Sequence, residues 1–213
     1  LGVLLEERQY DQVSQRLPAL LEASRGTPYY AHALQVAQRV AFETHDTEAM
    51  NRYLDAALEY NGNSLNELTS LLFNVKQNLS AEVAYNLLQK IPQSQRASGS
   101  ISYAEASILL DLNRYPEVFG VLQRIWKADG MTPEFSQEAL HAFLSEFVSK
   151  DLDLAPFLPI YKEFLATYPT NFDAHLDLQS LLYMLDKHSE RHAQLVRMTE
   201  LFPTGHPELW KEQ

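Results

Sequence analysis
The chain has 213 residues, 46 % hydrophobic and 21 % charged, which is enough apolar material for a core and excludes intrinsic disorder. Seventeen Lys and Arg stand against 28 Asp and Glu, a formal net charge of −11, and a field of that sign excludes nucleic acid and anionic membrane as expected partners. There is no cysteine, so disulfides, thiol nucleophiles and Cys-ligated zinc are excluded, and an oxidising compartment is accommodated.

In chain order the apolar periodicity predicts an all-α protein built of helix pairs. The pairs are expected at about 1–24, 28–60, 64–91, 97–128, 133–167 and 171–201, with the start of a further helix at 206–212. Turns within the pairs are expected near Gln9-Tyr10, His45-Asp46, Asn78-Ser80, Asn113-Tyr115, Ser149-Asp153 and Lys187-His188. Thr27-Pro28 and Thr132-Pro133 each place a capping residue before a proline suited to the first helical position. Ser80 precedes a capped amphipathic run, Ala81 to Leu88. No apolar run approaches the ~18 residues of a membrane span. The first residues, Leu1 to Arg8, read as the middle of a helix, so the chain is expected to be a fragment of a longer array.

The seven glycines exclude more than they include. No two lie closer than ten residues, so dinucleotide and phosphate loops, which need glycines a few positions apart, are absent. Gly26, Gly62, Gly99, Gly130 and Gly205 read as helix stops, with gaps of 36, 37, 31 and 75, and Asn171 as the substitute stop inside the last gap. Tyr168-Pro169-Thr170-Asn171 and Phe202-Pro203-Thr204-Gly205 repeat at a spacing of 34, and the run Arg8 to Val13 resembles Asn113 to Val118 at a spacing of 105, three periods of 35. A period of this size predicts stacked supersecondary units.

These units resemble the tetratricopeptide repeat. Leu1-Gly2 with Gln9-Tyr10-Asp11 looks like the marks of one unit; later units carry Val36, Ala37 and Val40, then Leu68, Leu71, Leu72 and Val75, then Ala106 and Leu109 on their first helices. Ala49, Tyr53 and Ala56, then Ala84, Leu88 and Ile91, then Val118, Leu122 and Ile125 fall on the second helices; Phe157, Tyr161, Phe164 and Pro169 fit the fifth unit, whose register is ambiguous, and Trp210 follows Pro203 at a familiar interval. The resemblance covers essentially the whole chain. It implies a right-handed solenoid of about six helix–turn–helix hairpins, with a concave face made by the first helices. That face would hold a protein or peptide partner, and the residues placed on it are Phe73, Lys76, Tyr103, Ser107 and Leu110. The basic clamp of chaperone-binding members is not matched, because Phe73 and Ser107 stand where it needs Asn. The function implied is a non-catalytic scaffold or adaptor that recruits an envelope protease or assembly enzyme, similar to those of the bacterial cell envelope, in the periplasm or attached to the outer membrane, with the cytoplasm as the alternative location. No cofactor is expected, and open solenoid ends would allow self-association. A structural module of a larger export or secretion machine is the alternative.

Catalytic constellations are sparse. His188 and His192 lie at i, i+4, a metal-ligand spacing, and would serve a metal-dependent hydrolase; surface histidines are the plainer reading, because the Glu of H-E-x-x-H is missing. His32, His45, His141, His175 and His206 are scattered, and no Ser/His/Asp set follows from spacing. Glu6-Glu7 and the Asp151/Asp153 pair read as solvated carboxylates.

Overall fold
The computed structural model describes residues 7–62, 64–128 and 130–203, and all regular structure in them is helical. The twelve helices among the described residues are α1 (Tyr10–Ser24), α2 (Tyr30–Glu43), α3 (Thr47–Asn61), α4 (Leu65–Asn78), α5 (Ala81–Lys90), the single turn α6 (Gln93–Arg96), α7 (Gly99–Asp111), α8 (Tyr115–Ile125), α9 (Pro133–Ser149), α10 (Phe157–Thr167), α11 (Phe172–Met184) and α12 (His188–Leu201). None is long and apolar enough to cross a membrane. Leu1-Gly2, Glu6, Gly205, His206, Trp210 and the helix expected at 206–212 lie outside the described residues.

Side-chain caps set many of the helix starts. Asp46, Ser64, Ser80, Thr132 and Asn171 each accept a hydrogen bond from the backbone N–H three residues on, satisfying a donor the helix cannot use internally. Pro133 follows Thr132 at the first position of α9, as the sequence predicts. At Thr27-Pro28 the helix opens later than expected, at Tyr30; Thr27 Oγ1 accepts from Tyr29 N at 3.2 Å across an intervening turn.

Helix ends follow one repeated device. At four turns the residue after the C-cap adopts a left-handed conformation: His45 (φ 57°), Asn113 (58°), Asp151 (53°) and Asp186 (54°). Each turn carries the same pair of backbone bonds, for example His45 N to Phe42 O at 3.1 Å and Asp46 N to Ala41 O at 2.9 Å, and Asp186 N to Tyr183 O at 3.1 Å and Lys187 N to Leu182 O at 2.9 Å. This is the Schellman closure, made without glycine at all four turns.

Contrary to the sequence expectation, the glycines do not all close helices. Gly26 (φ 74°) and Gly130 (φ 78°) are left-handed, but Gly62 has φ −62°; it is glycine for space, since a Cβ there would stand 2.8 Å from the Leu58 carbonyl oxygen. Gly99 opens α7 rather than closing a helix, because α5 already ends at Lys90 and Ile91 is extended. Asn171 is an N-cap with φ −76°, its short side chain reaching Ala174 N, and not a left-handed stop.

The chain divides into two compact units, Leu1–Arg114 and Tyr115–Gln213, and the boundary falls inside the hairpin expected at 97–128. In the first, each of α1 to α4 packs against the next helix, and α7 packs against α4, α5 and α6. Its core is aliphatic, centred on Leu34, Leu68, Leu72, Leu87, Leu88 and Ile108. In the second, α10 packs against α8 and α11, and α11 against α9 and α12. Its core adds large aromatic side chains to the aliphatic ones. Phe119, Phe147 and Phe157 meet pairwise with ring centroids 5.1–5.2 Å apart, and Trp126 meets Phe164 at 5.7 Å. Such tilted and edge-on contacts suit the ring quadrupoles. Neighbour-to-neighbour packing of this kind is compatible with a helical-repeat fold.

Candidate functional site
Four of the five residues expected on the concave face meet between α4 and α7. The Phe73 and Tyr103 rings are 6.2 Å apart. Lys76 Nζ donates to Ser107 Oγ at 2.7 Å, pairs with Asp111 at 2.8 Å and lies 5.9 Å from the centre of the Phe73 ring. All four are half-buried, and Leu110 is buried at 5 % exposure. These four side chains meet across the seam between two helices. Lys76 reaches across the seam to Ser107 and Asp111, and Phe73 packs on the core of the unit.

The open groove lies one hairpin earlier, between α2 and α4 with α3 behind, and encloses about 420 Å³. Its floor is Leu34, Ala57 and Leu71. Tyr60 walls one end, its ring set edge-on to Tyr30 at 5.4 Å. Along α4, Asn66, Ser70 and Asn74 recur at i, i+4 and i+8 and so share one helix face, with Gln35 of α2 also lining the groove. The side chains of these four have no hydrogen-bond partner among the described residues. Two other amides nearby are engaged: Gln38 Nε2 donates to Tyr53 O at 3.2 Å, and Asn61 Nδ2 to Ala57 O at 2.8 Å. The charge lining the groove is Glu67. An amide presents a donor and an acceptor together, the complement of a peptide group. The stripe 66, 70, 74 was readable as a polar helix face; nothing in the sequence said that its neighbour would leave it open.

A second polar cluster, in the other unit, was not expected at all. Asp177 of α11 is 8 % exposed and accepts from Gln137 Nε2 at 2.9 Å, Tyr161 OH at 3.1 Å and His141 Nδ1 at 2.7 Å. It ties α9 and α10 to α11. Burial, with the Asp177 carboxylate beside it, holds the Tyr161 phenol far above its usual range. His141 turns Nδ1 toward Asp177 and is more than half exposed, but it lines neither the groove between α2 and α4 nor the cavity described below. The four residues come from three helices, at separations of up to 40 positions, which no local spacing reveals.

His188 and His192 are both exposed on α12. Among the described residues no group of three His, Cys, Asp or Glu side chains converges as a metal site would require. Comparison with models of known protein families gives no match to this chain, and comparison with curated proteins gives none either.

Proposed function
We propose that this protein is a non-catalytic, tetratricopeptide-like scaffold, its hairpins stacked as a right-handed solenoid, that holds an extended peptide segment of a partner protein in the groove between α2 and α4. The observation that carries the reading is the unpartnered stripe of Gln35, Asn66, Ser70 and Asn74 above an apolar floor. An extended peptide must keep its backbone donors and acceptors satisfied when it leaves water, and side-chain amides do this for any sequence. The floor of Leu34, Ala57 and Leu71 suits a small apolar side chain, and Glu67 favours a Lys or Arg beside it. A role as adaptor in the bacterial envelope belongs to the same proposal and draws on the cysteine-free composition.

Selection of peptides from a displayed random library on the full chain tests the reading. Enriched peptides should lose about tenfold or more in affinity when Gln35 and Asn74 are both changed to Ala, since about two hydrogen bonds near 1 kcal/mol each are removed. Ser70→Trp should block them. Failure to enrich any peptide, or peptides indifferent to both changes, would overturn it.

A further inference from the structure
The second unit holds a cavity of about 400 Å³ between α10, α11 and α12. That volume lies within the roughly 300–1,000 Å³ of small-molecule sites. Its apolar wall is aliphatic: Leu165, Ala166, Leu178, Leu182 and Ala193. Most of its polar groups are already committed. His175 is fully buried; its Nε2 donates to the Pro169 carbonyl at 2.9 Å and its Nδ1 accepts from the Gln194 amide. Both ring nitrogens are therefore used, and the imidazole is neutral. Glu190 is shared by Lys162 at 2.7 Å and Lys187 at 3.1 Å.

Of these, Lys162 and Glu190 line the cavity and offset one another, and Arg197 on the same rim adds a second cation that has no hydrogen-bond or ion-pair partner among the described residues, so the lining carries two cations against one carboxylate. The unit as a whole carries 8 Lys and Arg against 15 Asp and Glu. The rim therefore reverses the sign of its surroundings.

We propose that this cavity binds an acyl-chain carboxylate, the chain lying on the leucine wall and the carboxylate meeting Arg197. The charge is complementary, and a guanidinium matches a carboxylate with paired donors. The wall decides against a peptide carboxyl terminus. Leu165, Leu178 and Leu182 offer no partner to a backbone N–H or C=O, whereas a methylene chain needs none. The contrast with the amide-lined groove of the first unit is direct, and this proposal is independent of that groove's function.

Calorimetric titration of the full chain with octanoate, decanoate and dodecanoate, with decanol as the uncharged counterpart, tests it. The expected result is saturable one-to-one binding of the carboxylates that tightens with chain length, up to about fourfold for each methylene fully buried. Arg197→Gln should weaken decanoate about tenfold and leave decanol unchanged. Ala193→Trp, at an exposed position of α12 that lines the cavity, should abolish both. Thermal unfolding of each variant shows that it is folded. The proposal is overturned by the absence of saturable decanoate binding, by a decanoate affinity that Arg197→Gln does not change, or by binding that survives Ala193→Trp.

Discussion

The two units join their helices by similar means with different materials. In the first, α4 and α7 are held by a mostly buried lysine whose carboxylate partner stays open to water, and the core around them is leucine, isoleucine, valine and alanine. In the second, α9, α10 and α11 are held by a buried carboxylate with three donors, and its four largest fully buried side chains are Tyr161, Phe147, Phe157 and Phe164. The difference shows where freedom remains. In the first unit the amides of Gln35, Asn66 and Asn74 between α2 and α4 are left without partners among the described residues, so that seam stays open and polar. In the second, the amide N–H groups of Gln137, Gln179 and Gln194 donate to internal acceptors, though Gln179 Oε1 is buried without a partner, and the cavity that remains is aliphatic with a cationic edge.

The largest expected effect breaks the aromatic core. Phe147→Ala should cost about 3–5 kcal/mol, the range for truncating a packed phenylalanine. Phe147 touches the rings of Tyr115, Phe119 and Phe157, and collapse around the void would move all three. Tryptophan fluorescence during thermal unfolding reads this out, since Trp126 is buried in the same unit against Phe164. An unchanged transition would show that the ring cluster contributes little.

Next comes the contrast between the two helix seams. Asp177→Ala leaves the Gln137 amide and the Tyr161 hydroxyl buried without an acceptor, at about 1–3 kcal/mol for each orphaned group. Lys76→Ala should cost only about 1 kcal/mol, because Asp111 and Ser107 can turn to water. Denaturant melts of the two variants should therefore differ clearly; equal losses would mean that burial does not distinguish the seams.

A pH experiment sharpens the same comparison. Burial, the main cause, lowers the His175 pKa below its ordinary 6.5. The unfolded chain then takes up a proton that the folded one refuses, so stability should fall as pH drops below about 6.5 and level off below the folded-state pKa. Replacing His175 by Gln should flatten the dependence between neutral and mildly acidic pH. Melting curves across that interval would reject the assignment if wild type and variant kept parallel slopes.

The smallest effect on stability is expected in the groove of the first unit. Gln35→Ala with Asn74→Ala touches side chains without hydrogen-bond partners among the described residues and should change stability by no more than about 0.5 kcal/mol. A larger loss would show that these amides are structural.

Much of the helical layout was legible because it is local. Ser80 and Thr132 cap α5 and α9 through N–H groups three residues away, and the apolar periods of α4 and α10 mark their buried faces. The turns at His45, Asn113, Asp151 and Asp186 lie where polar breaks interrupt those periods. Glycine misled in places, because a left-handed cap tolerates Asn, Asp or His, and because Gly99 begins a helix. The candidate site was legible in part. Spacing placed Phe73, Lys76, Tyr103 and Ser107 on facing helices, but it could not say whether Lys76 would point to a ligand or close on Asp111.

The sequence by itself determined the helical class, many of the capped starts and the acidic, cysteine-free surface, since each depends on residues within a few positions of one another or on composition alone. Only the tertiary structure decided which seams are filled. Asp177 meets Gln137 and His141 from 40 and 36 positions away, Lys76 meets Asp111 across two other helices, and Gln35, Asn66 and Asn74 are left without partners. Those outcomes depend on how helices remote in sequence face each other, and the free energy that separates a closed seam from an open one is carried by contacts that have no local signature.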